Sequence, residues 1–100
     1  MPIKIPRFPL LPRFVLDAPE LPGVIALWEL DQLIYLGRST PGFTIRKALM
    51  AHQEARYPCT AAATHFAWEA ARDPAARERE LLAEYFEEHR GFPRCNAAET

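Results

Sequence analysis

At 100 residues, with 49% hydrophobic and 25% charged side chains, the chain has the size and composition of one small globular domain rather than a disordered segment. A net charge of −1 excludes the global positive field of a strong nucleic-acid binder. No apolar run approaches the ~18 residues of a membrane span, and prolines break up the N-terminal stretch before it can form a signal peptide, so a cytoplasmic chain is expected.

Six of the ten prolines fall within residues 1–22. Proline lacks an amide donor and disfavours helix in the residue before it, so this stretch reads as an extended N-terminal arm. Ile3, Ile5, Phe8, Leu10, Leu11, Phe14 and Val15 make it too apolar to be free in solution. It is expected to lie along the domain, or to strap two copies into a homodimer. Residues 23–100 form the single domain.

Gly23–Leu30 is rich in β-branched and aromatic residues and reads as the first strand. A turn at Asp31-Gln32 joins it to a second strand, Leu33–Gly37, giving a hairpin. Residues 38–43 form a loop. Thr44 is placed to cap a helix running to about Ala55, with Ile45, Ala48, Leu49 and His52 on one face. Thr64–Glu69 alternates and reads as a third strand. Asp73-Pro74 is the signature of a helix start, and the helix is expected to run to about Arg90 and stop at Gly91. Leu81, Leu82, Tyr85, Phe86 and His89 are its expected buried stripe, and Pro93 is expected to prevent further helix. The fold class is α+β: a small antiparallel sheet of about three strands in β-β-α-β-α order, flanked by helices.

Charge is unevenly placed. Residues 1–60 carry seven basic and five acidic groups, a net +2, and residues 61–100 carry five and eight, a net −3. Ten of the twelve basic residues are arginine, whose planar fork suits phosphate and carboxylate. Cys59 and Cys95 are 36 positions apart with no CxxC pair or matching histidines, which excludes an ordinary zinc site and leads to the expectation of two reduced thiols.

Gly23-Val24 opening the first strand, Tyr35-Leu36-Gly37 in the second, a helix with a basic residue, a second helix with a carboxylate, and a closing Pro93-Arg94-Cys95-Asn96 follow one another in a characteristic order. Over residues 21–96 the chain resembles the GIY-YIG nuclease superfamily, and within it a group of small stand-alone bacterial members. The resemblance implies a divalent-metal-dependent endonuclease that hydrolyses DNA phosphodiesters with one Mg²⁺ or Mn²⁺ ion, selecting DNA by structure rather than by sequence. It implies roles for individual residues. Tyr35 matches the tyrosine that serves as base or orients the attacking water. Glu78, heading Glu78-x-x-Leu81-Leu82-x-x-Tyr85, matches the metal ligand, with Glu80 as competitor. His52 matches an auxiliary histidine, Asn96 the asparagine that orders the site, and Arg38 and Arg46 are the phosphate contacts. Two positions depart from the pattern. Ile25 stands where the first motif has tyrosine, and Ala48 stands where the first helix has its arginine. Arg46 is two residues away, a turn of about 200° around a helix. These departures imply weakened cleavage, or a domain of the same fold that binds DNA or protein without cutting it.

Overall fold

The computed structural model describes residues 7–98. The elements are β1 (Phe8–Pro9), α1 (Pro12–Val15), β2 (Gly23–Glu29), β3 (Gln32–Arg38), α2 (Ile45–Gln53), a 3₁₀ turn (Cys59–Ala62), β4 (His65–Ala70), α3 (Pro74–His89) and α4 (Arg94–Ala98). The chain forms an α+β domain on one antiparallel sheet in the order β1-β4-β2-β3, with a radius of gyration of 12.2 Å. Among the described residues no helix is long and apolar enough to cross a membrane.

The strand β2 is central and buried on both faces, which explains its nearly unbroken apolar run in place of alternation. Ile25 and Leu27 point to one face with Val15, Ile45, Leu49 and Phe66. Val24, Ala26 and Trp28 point to the other, where Leu81 of α3 closes the second core. Gly23 is required where β2 meets β4. A methyl group there would stand 2.2 Å from the Glu69 carbonyl oxygen and 2.6 Å from Ile45 Cδ1. Gly23→Ala is therefore expected to cost about 1–3 kcal/mol through forced strand displacement, read as a lower urea midpoint with an unchanged slope.

Several expectations are corrected. The sheet has four strands, not three, because Phe8 and Pro9 pair with Phe66 and His65 at the outer side of β4. A proline is tolerated there because an edge strand leaves one side without ladder bonds. The arm is not uniformly extended: Pro12 opens a helical turn, and Val15 and Ala18 are buried in the core. Residues 1–6 lie outside the described residues. The hairpin turns at Leu30-Asp31 rather than Asp31-Gln32, with Leu30 at φ 53°, and an irregularity in the ladder absorbs the offset beside Ile34.

Helix α2 stops at Gln53, before Ala55, which takes a left-handed conformation. Helix α3 starts as expected, with Asp73 accepting from the Ala76 N–H at 3.1 Å, but Arg90 rather than Gly91 supplies the left-handed cap. In its expected buried stripe only Leu81 is fully buried, while Leu82 and Tyr85 are partly covered. Phe86 is exposed and packs its ring against Phe92 at 5.3 Å, and His89 is exposed and stacks on Tyr85. Pro93 does not end helical structure. It is buried just before α4, where a missing amide costs nothing.

The two cysteines are not free thiols. Cys59 and Cys95 form a disulfide with their Cα atoms 5.6 Å apart. Their separation in sequence concealed that the 3₁₀ turn and α4 meet beside the sheet.

Candidate functional site

The residues singled out from the sequence gather around β3, an edge strand, but separate into distinct groups. Opposite β2, Tyr35 pairs with Leu27 and Gly37 with Ile25, placing both on the α2 side of the sheet. The Tyr35 ring lies flat along the strand. A methyl group on Gly37 would fall 2.4 Å from the Tyr35 ring and 2.7 Å from its phenol oxygen. The Tyr-Leu-Gly spacing thus has a steric cause, since only glycine lets the ring pass over its second neighbour.

Behind Tyr35 stands His52, with ring centroids 5.0 Å apart, and Tyr57 covers His52 from another side at 4.7 Å. His52 is only 6% exposed, and its Nδ1 is 2.7 Å from the hydroxyl of the fully buried Thr60. Burial lowers the His52 pKa to about 4, so the imidazole is neutral near pH 7. It supplies no positive charge to a phosphate, and its geometry is that of a core histidine that holds Tyr35 in place.

Arg38 and Glu78 meet at the end of β3. Arg38 is paired across the ladder with Val24, so it belongs with the α3 side, and its Nη1 lies 3.4 Å from Glu78 Oε1. Burial pushes the Glu78 carboxyl up, against the pull of the Arg38 and Arg79 charges. Among the described residues there is no group of three or more His, Cys, Asp or Glu side chains fit to hold a metal. A hard cation that keeps several waters takes one or two protein carboxylates, and Glu78 is a half-buried carboxylate at the end of β3.

Glu80, the competitor, points elsewhere and accepts from Arg77 at 2.9 Å. Arg77 also donates to both oxygens of Glu69, at 2.5 and 3.2 Å, and this hydrogen bonding raises its pKa. The cluster ties α3 to β4.

Arg46 is held away from β3. Its Nε donates to the Ala18 carbonyl at 2.9 Å and its Nη1 to Glu20 at 3.0 Å. This arginine fastens the N-terminal segment to α2. Ala48 packs partly buried against the core, and Ile25 is 1% exposed inside it, so neither position presents a polar group.

Asn96 bonds the backbone of β3 through its side chain. Its Oδ1 accepts from the Leu36 N–H at 2.9 Å and its Nδ2 donates to the Leu36 carbonyl at 2.7 Å. The side-chain amide completes the outer edge of β3 as a further strand would, between Tyr35 and Gly37. The neighbouring disulfide and an Arg94–Glu29 ion pair hold α4 in register for this bond. Sequence reasoning missed Thr60, which meets His52 across the loop after α2, and Glu20 and the Cys59–Cys95 pairing, whose contacts are distant along the chain.

The end of β3 thus carries a phenol lying over Gly37 on the α2 side of the sheet, and a guanidinium at Arg38 facing a half-buried carboxylate at Glu78 on the α3 side. The chain matches no protein-family model, no curated protein and no solved structure.

Proposed function

We propose that this domain is a slow, divalent-metal-dependent DNA endonuclease of the GIY-YIG type, with Glu78 as the metal ligand. The observation that supports this reading best is the Arg38–Glu78 pair directly after Tyr35-Leu36-Gly37. It sets a desolvated carboxylate and an arginine fork at the end of the strand that carries the phenol. A divalent ion bound at Glu78 would stabilise the charge that develops on the phosphate during hydrolysis. Arg38 leaves Glu78 to pair with a phosphate oxygen, a bidentate contact suited to its fork. In this reading Tyr35 would orient the attacking water from the α2 side of the edge strand, where its ring packs against His52. Asn96 keeps this part of β3 rigid through Leu36.

The slowness has a stated cause. Arg46 is engaged with Ala18 and Glu20, and Ala48 offers no guanidinium from α2. Loss of one charge-stabilising arginine removes roughly 10³-fold or more in phosphoryl-transfer systems. The same observation favours a second reading, a domain that holds DNA without cutting it.

Supercoiled, branched and single-stranded DNA incubated with the protein and Mg²⁺ or Mn²⁺ separates the two. Slow cleavage is expected, with Glu78→Gln reducing it at least about 100-fold and Ala48→Arg increasing it. If neither the natural sequence nor Ala48→Arg cuts any of these substrates, the endonuclease reading falls. Retained DNA binding in that case selects the second reading.

A further inference from the structure

The loop between β3 and α2 borders a groove of about 600 Å³ that shares only Arg38 with the residues assigned to hydrolysis. Arg38 stands at one end, Thr40, Phe43 and Thr44 line the loop side, and Asp73 lies on the α3 side. The groove contains an aromatic ring that is 53% exposed, that of Phe43.

The loop backbone at Phe43 is held in place by hydrogen bonds. Its N–H donates to the Thr40 carbonyl at 2.8 Å, closing a four-residue turn. Pro41 presets the second residue of that turn, and Gly42, at φ 84°, takes the left-handed position of the third. Immediately after Phe43, Thr44 caps α2 by accepting from the Lys47 N–H at 3.2 Å. The Phe43 backbone is therefore held on both sides by hydrogen-bonded structure while the residue stays half exposed.

We propose that this groove is a single-strand subsite: Phe43 stacks on an unpaired base while Arg38 holds an adjoining phosphate, so the domain prefers single-stranded or frayed DNA to intact duplex. This rests on the DNA reading above and adds a substrate class to it. An aromatic ring beside an arginine is the combination that single-stranded nucleic acid uses, since every base offers a stacking face. Inside a duplex those faces are already covered by neighbouring base pairs. Asp73 opposes a phosphate but is committed to capping α3 through the Ala76 N–H. With one cation and one anion lining the groove, stacking rather than charge supplies the selectivity, and the salt dependence is correspondingly weak.

Fluorescence anisotropy with labelled dT20 and a 20-base-pair duplex, in EDTA to prevent cleavage, tests the proposal. The full chain is expected to bind dT20 at least about five-fold tighter than the duplex, within the range measured for single stacking contacts. Its slope of log affinity on log salt should be near −0.7, one phosphate contact to a single strand. Phe43→Ala should abolish the preference and Phe43→Trp should keep it, both with unchanged circular dichroism, because the ring is half exposed. Equal binding of the two DNAs, or a preference that survives Phe43→Ala, overturns the subsite and leaves the endonuclease reading standing. Absence of binding to either DNA, together with absence of cleavage, overturns both.

Discussion

Removing the Cys59–Cys95 bridge is expected to lower the unfolding free energy by about 4 kcal/mol. The bond closes a loop across a sequence separation of 36, and loop-closure entropy at that length gives this magnitude. A domain of this size has a total stability of about 5–15 kcal/mol, so the loss is a large part of the whole. The effect also has a local side. Cys95 is fully buried and immediately precedes Asn96, whose side chain completes the edge of β3 at Leu36. Opening the bridge frees α4, and with it the clamp on the strand that carries Tyr35 and Arg38. Thermal unfolding of the oxidised protein, the reduced protein and Cys59→Ala/Cys95→Ala is the measurement, with a drop on the order of 20 °C expected. Coincident transitions for all three would show that the bridge contributes nothing to stability.

Acidification is expected to remove a further contribution of about 3 kcal/mol that belongs to His52. Its pKa is lowered from 6.5 to about 4 in the fold, because burial penalises the charged ring. The folded state thus binds fewer protons than the unfolded chain between these values. The contribution is complete above pH 6.5 and is lost as the pH falls through 4. Glu78 acts in the opposite direction. Its carboxyl is pushed up by burial, so its contribution is greatest at low pH and is lost as the pH rises through its folded value. Urea unfolding at pH 7.5 and pH 4, on the natural sequence and on His52→Gln, isolates the histidine. Glutamine is neutral at both pH values, so the variant should lose less stability on acidification, by about 3 kcal/mol. Equal losses in the two proteins would mean that His52 is solvated and titrates normally.

The same two features show where sequence reading succeeded and where it ended. The helix starts were legible because capping is local. Thr44 and Asp73 each bond an amide three residues ahead, so the signal lies within one turn. The hairpin and third strand were legible from their β-branched and aromatic content, although the turn was placed one residue late. The first strand's apolar run signalled a strand but not its central position. The two-residue β1 was not legible, since its only justification is a partner, β4, almost sixty residues away.

Of the candidate site, the residue types around β3 were legible as an ordered pattern, and their relations were not. Arg46 was an available phosphate contact until its partners, Ala18 and Glu20, were known. His52 was equally a proton donor or a core residue in sequence. Burial against Tyr35, Tyr57 and Thr60 makes it neutral. Glu78 and Glu80 were alternatives in the sequence, which could not show that Glu78 faces Arg38 and Glu80 faces Arg77.

By itself the sequence determined a small α+β domain, its two principal helices and the order of a strand-borne tyrosine, a helix carboxylate and a late asparagine. These follow from periodicity and capping, which act over a few residues. Only the tertiary structure decided which charges are engaged, that the two cysteines are joined, and that Asn96 serves as a surrogate strand for Leu36. The Arg46–Ala18 bond, the disulfide and the Asn96–Leu36 pair join groups 28, 36 and 60 positions apart that folding brings within bonding distance. The net charge of −1, which excluded a strong global field, does not bear on the end of β3, where one guanidinium and one half-buried carboxylate face each other. Local patterns cannot encode such pairings, because the free energy that forms them comes from the folding of the whole chain.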